Sequence, residues 1–238
     1  MTLQNFIFQV CGWLVGLPLE FLVVSALARG PYRLFPLVFV YAAANFITTL
    51  IEIPPYVVSF VTGNPQIWKN AAEIYWINDV ILQVLIFAVV IGLIDSAASG
   101  ASRRRMIRIG LAAGAILFGG VSLYIEYLPP PAKFGYWMTP WTRDLNFCAT
   151  VLDLGLWMLL IASRKADRRL LLVSGALGMQ FTGEAIGEAI RDLSIPKMVH
   201  ALSLTGSVVA MVADLACLYI WWQAFRAAPA RQILPGRK

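Results

Sequence analysis

Glu52, Asp79, Asp153, Glu184 and Glu188 lie within long apolar stretches of this chain, and they share those stretches with the bases Arg143, Arg191 and His200, the last being its sole histidine. A charged group at the centre of a bilayer costs about 2.5–3.5 kcal/mol on insertion scales. Several such groups together therefore need partners, water or a ligand. Carboxylates held this way can bind a cation, relay protons between depths, or serve as acid and base; Glu20 and Asp214 extend the set toward the other side.

The elements that must position these residues are long helices. The chain of 238 residues is 59% hydrophobic and 13% charged, whereas soluble domains run near roughly half and about a quarter. Seven apolar stretches, near 5–28, 33–61, 71–95, 105–127, 140–162, 169–191 and 198–225, each reach the ~20 residues that cross the hydrocarbon. The expected fold is all-α, a polytopic membrane protein with a single seven-helix transmembrane domain over 1–226 and a short cytoplasmic tail at 227–238.

The basic residues fix an orientation. Fourteen of the nineteen fall in alternate gaps: Arg29 and Arg33, then Arg103, Arg104, Arg105 and Arg108, then Arg164, Lys165, Arg168 and Arg169, and finally Arg226, Arg231, Arg237 and Lys238. The other gaps and span ends hold Lys69, Lys133, Arg143, Arg191 and Lys197. Basic residues collect on the cytoplasmic side, so the amino terminus is expected outside and the carboxyl terminus inside. The +6 net charge is spread through short gaps rather than gathered in one patch, which argues against a nucleic-acid partner. The first stretch has no basic leader and carries Glu20, so it reads as a retained helix rather than a signal peptide. Cys11, Cys148 and Cys217 fall within spans and read as packing residues.

Residues at i, i+3, i+4 and i+7 share a helix face, and six of the seven spans collect their polar residues on one stripe. The first aligns Gln9, Trp13, Gly16 and Glu20; the second Tyr41, Asn45, Thr49, Glu52 and Tyr56; the third Tyr75, Trp76, Asp79 and Gln83. The fifth aligns Thr139, Arg143, Asn146, Thr150, Asp153 and Trp157, the sixth Gln180, Glu184, Glu188 and Arg191, and the seventh His200, Ser203, Ser207, Met211, Asp214 and Trp221. The fourth has no comparable stripe and is expected at the periphery, facing lipid.

These stripes predict an outward-open, hydrated, net-acidic pocket. Its expected ligand-binding residues are Glu52, Tyr56, Tyr75, Trp76, Asp79, Gln83, Arg143, Asn146, Asp153, Gln180, Glu184, Glu188, Arg191 and His200, with Trp141 also at the rim and Arg191 paired with Glu188. The alternative is that the same groups only glue helices together by hydrogen bonds. Pro54 and Pro55 remove two N–H donors beside Glu52, which either frees carbonyls for the pocket or kinks the helix. The external segment 128–141, with three successive prolines and Tyr136, Trp137 and Trp141, reads as an interfacial aromatic belt or a lid. Gly12/Gly16, Gly110/Gly114 and Gly183/Gly187 carry the spacing that lets helices approach closely.

Seven helices with an external amino terminus resemble the rhodopsin and receptor architectures and the seven-helix sensory modules of bacterial signalling proteins. The likeness is one of topology and transfers no residue; the seventh stretch has no mid-membrane lysine for a retinal Schiff base. The leading expectation is a sensor or ligand-binding module for a small cationic or amphipathic molecule, acting through a cytoplasmic or membrane partner protein. A proton- or cation-coupled carrier, an intramembrane lipid-modifying enzyme using Glu184, Glu188 and His200, and a structural subunit of a membrane complex are the alternatives. A non-enzymatic role is favoured, since no nucleophile motif or metal signature is present and no cofactor is called for. The compact chain suggests a bacterial inner (plasma) membrane.

Overall fold

The computed structural model describes residues 3–97, 104–127, 138–162, 168–194 and 200–226. Seven helices occupy them: α1 (Leu3–Ala28), α2 (Pro36–Thr62), α3 (Pro65–Ala97), α4 (Arg104–Tyr127), α5 (Met138–Ala162), α6 (Arg168–Ser194) and α7 (His200–Arg226). No strand occurs among the described residues. Five of the helices, α1, α2, α3, α6 and α7, are long and apolar enough to cross a membrane, and α4 carries a shorter apolar stretch, Ile109–Ile125. The tail at 227–238 and most of the segment 128–141, namely 128–137, lie outside the described residues.

Local chemistry sets the helix ends. α2 begins at Pro36 rather than at residue 33, because Pro31–Arg33 close a separate 3-10 turn and a proline without an N–H is suited to a first helical position. It ends at Gly63, whose φ of 61° is left-handed and whose N–H reaches the Ser59 carbonyl at 3.0 Å. Two residues on, α3 starts at Pro65, with the Asn64 side chain accepting from the Gln66 N–H at 2.9 Å. The helix α2 stays continuous through Pro54 and Pro55.

Helix contacts trace a ring: α1 packs on α2, α2 on α3, α3 on α5, α5 on α6, α6 on α7, and α7 back on α1. Helix α4 stands outside that ring, against α3 and α5. Two hydrogen bonds tie it to α5, Ser122 Oγ donating to Asp144 at 2.8 Å and the Trp141 indole N–H donating to the Gly119 carbonyl at 3.1 Å. The tightest contact is α6 on α7, where Gly187 and Gly206 bring backbones together: a Cβ on Gly187 would stand 2.6 Å from the Gly206 carbonyl oxygen.

The interior divides into a dry half and a polar half. The dry half gathers Val23 and Leu27 of α1, Val38 of α2, Val89, Val90 and Leu93 of α3, Leu156 and Leu160 of α5, Val173 and Leu177 of α6, and Leu218, Trp221 and Phe225 of α7. These are late positions in α1, α3, α5 and α7 and early positions in α2 and α6, so α2 and α6 run opposite to the other four helices of the ring. The Trp221 side chain is fully buried, donates to the Val173 carbonyl at 3.2 Å and meets the Tyr41 ring edge-on. Leu14, Val61, Ile116, Leu117 and Met158 face outward while Gln83, Asn146 and Gln180 are buried. This is polarity inverted with respect to a soluble protein, as a lipid-facing surface requires.

Candidate functional site

The polar half encloses a cavity of about 1130 Å³ walled by all six ring helices. Among the described residues α4 contributes nothing to its wall. On α2 the wall runs from Tyr41 to Tyr56, about 22 Å at 1.5 Å per residue. Below Tyr41 the dry core closes it.

Carboxylates dominate the wall: Glu20, Glu52, Asp79, Glu184, Glu188 and Asp214 face a single cation among the described residues, Arg191. Arg191 is ion-paired with Glu188 one turn before it, as its spacing predicts. Each remaining carboxylate is held by a neutral donor. Asn78 donates to Glu52 at 2.9 Å and Thr142 to Asp79 at 3.3 Å. Asn45 and Thr49 donate to Glu20 Oε1 at 3.0 and 3.1 Å.

Gln180 is the hub of the far wall. Its amide nitrogen lies 3.0 Å from Glu184 Oε1, 3.2 Å from Asp214 Oδ1 and 3.3 Å from the Tyr41 hydroxyl. An amide nitrogen carries two hydrogens, so three acceptors compete for them and α2, α6 and α7 are coupled through one side chain. Across the cavity Gln83 donates to Asn146 at 2.9 Å, joining α3 to α5. Aromatic rings line the end remote from the dry core: Trp13 meets Tyr56 edge-on at 5.1 Å and Tyr75 meets Trp76 at 5.2 Å.

Of the expected site residues, Glu52, Tyr56, Tyr75, Trp76, Asp79, Gln83, Asn146, Gln180, Glu184, Glu188 and Arg191 line this one cavity. Three others do not join them. Asp153 is corrected to the α5–α6 contact, buried, accepting from Ser174 Oγ at 2.8 Å in the space left by Gly178. It shares the stripe of Asn146 but sits two turns deeper, beyond the cavity floor. Arg143 is corrected to the outside of the wall, 3.6 Å from Asp144, its own chain neighbour. Trp141 likewise packs on α4 rather than at the rim. The side chain of His200, with Tyr136 and Trp137, lies outside the described residues.

Asn45, Thr49 and Met211, which the sequence singled out only as stripe members, line the cavity, as do Glu20 and Asp214, which the sequence placed in the carboxylate set toward the other side. Asn78 was missed: it lies off the α3 stripe, is buried, and turns toward α2 to hold Glu52. A buried carboxylate needs a donor from a neighbouring helix, and that need is the signal that finds Asn78. Among the described residues no three of His, Cys, Asp and Glu gather as metal ligands. No family model, curated protein or solved structure matches the chain.

Proposed function

We propose that this protein is an integral membrane sensor or ligand-binding module of seven spans, with the amino terminus outside and the carboxyl terminus cytoplasmic, that takes a small cationic or amphipathic molecule into its acidic cavity. One observation carries the reading: a polar cavity of about 1130 Å³ with an excess of carboxylates ends against a dry core instead of running through the bundle. A blind, aromatic-rimmed, anionic cavity suits capture of a cation with an apolar body. The dry end is also the end to which the Arg-rich gaps attach, which supports a cavity facing outward from a bacterial inner membrane. A partner protein would carry any signal onward.

Isothermal titration of the purified protein in nanodiscs against amphipathic amines and matched carboxylates tests it. Amine binding that weakens in Asp79→Asn and Glu184→Gln is the expected result. Equal uptake of amines and carboxylates, or uptake indifferent to both substitutions, would remove the reading. A carrier is the second reading, favoured by the carboxylates spread along the cavity from Glu188 through Glu184 to Asp214. Proton-linked flux of the same amines into liposomes would displace the sensor in its favour.

A further inference from the structure

Glu20 stands at the closed end of the cavity, 5% exposed, and only one of its two oxygens is served. Oε1 accepts from Asn45 and Thr49, but the Thr49 hydroxyl has one proton and a second acceptor, the Asn45 carbonyl at 2.9 Å on its own helix. Oε2 is buried and has no hydrogen-bond partner among the described residues. Leaving a buried carboxylate oxygen unmatched is among the more costly arrangements a protein can hold. Glu52, Asp79, Glu184 and Glu188 on this wall are instead matched by Asn78, Thr142, Gln180 and Arg191, and Asp214 accepts from Gln180.

We propose that Glu20 Oε2 anchors a primary ammonium group of the ligand at the cavity floor, an assignment that rests on the ligand-binding reading above. The chemistry selects the group. Oε2 needs a cationic N–H donor rather than charge alone, because a hydrogen bond to an ionised acceptor is short and directional. A quaternary ammonium has no N–H and cannot fill that place. Gly16 beside Glu20 leaves room for a small head, and the Asp214 carboxylate adds negative charge at the same level. The apolar body of the ligand then lies toward Trp13, Tyr56 and Trp76.

The probe is phenethylamine, compared with its N,N,N-trimethyl analogue and with 2-phenylethanol, by isothermal titration on the full chain in phosphatidylcholine nanodiscs. Losing one charge-assisted hydrogen bond corresponds to about 10- to 100-fold in affinity, so the primary amine should bind the unaltered protein more tightly than the trimethyl analogue by that factor. Glu20→Gln keeps an oxygen for Asn45 and Thr49 and replaces Oε2 by a donor; it should erase the preference while leaving the trimethyl analogue bound. Equal affinities in the unaltered protein, or a preference that survives Glu20→Gln, would overturn the assignment and leave the cavity reading standing. If no amine binds, both fall. The comparison of amines needs no variant, so it decides the matter even where Glu20→Gln does not fold. Adding phosphatidylethanolamine separates the sources: competition with phenethylamine identifies a lipid headgroup as the ammonium donor, and its absence identifies a soluble amine.

Discussion

Adding one methyl group at Gly187 tests how the ring is held together. A Cβ there would stand 2.6 Å from the Gly206 carbonyl oxygen, 3.0 Å from Ala210 Cβ and 3.3 Å from the Ala210 nitrogen. Ordinary contacts begin at 3.4 Å, so α6 and α7 must part by about 0.8 Å, and backbone atoms cannot rotate aside as a side-chain tip would. Overpacking of this kind costs about 1–3 kcal/mol, or roughly 5- to 150-fold in the folded-to-unfolded ratio. Gly114 of α4 supplies the control, because nothing lies within 4 Å of a Cβ placed there. Gly114→Ala should leave stability unchanged or raise it by up to about 1 kcal/mol through helix propensity. Thermal unfolding of the purified variants in one detergent reads both. Gly187→Ala as stable as Gly114→Ala would refute the close α6–α7 approach.

The remaining predictions address the site and its surroundings. Asp153→Asn keeps an acceptor for Ser174 and should leave amine affinity within about twofold, since the residue lies away from the cavity; a loss beyond tenfold would return Asp153 to the site. Gln180→Leu removes the link among Tyr41, Glu184 and Asp214 and should cost about 1–2 kcal/mol of stability in detergent unfolding. Trp221→Ala should destabilise by about 3–5 kcal/mol as the dry core loses its largest fully buried side chain, and no change in unfolding temperature would contradict that role. With Cys11, Cys148 and Cys217 replaced by Ala, a cysteine at Asn64 should react with an impermeant maleimide on intact cells and one at Tyr32 only after permeabilisation; the reverse pattern inverts the orientation.

Helix positions and facing stripes were legible because hydrocarbon permits few alternatives: a polar residue on a long apolar helix must turn inward. Glu52, Asp79, Gln180 and Glu184 follow that rule into one cavity. The rule fixes a face but not a depth or a neighbour. Asp153 therefore shares a face with Asn146 yet meets Ser174 instead of the cavity, and Trp141 turns to Gly119 of α4. Asn78 escaped the stripe because it lies off the face shared by Tyr75, Asp79 and Gln83 and turns toward α2. The three glycine pairs looked alike in sequence and differ in space: Gly183 and Gly187 face α7 backbone or Ala side chains, Gly12 and Gly16 face Met211 and Leu215, and Gly110 and Gly114 face open space.

Two helices whose main chains touch behave mechanically as a single beam. The α6–α7 beam bears Gln180, Glu184, Glu188 and Arg191 on one member and Asp214 on the other, and its opposite end carries Arg168 and Arg226. Such close main-chain packing leaves α6 and α7 little room to slide past one another, with α1 against α7 and α5 against α6 on either side.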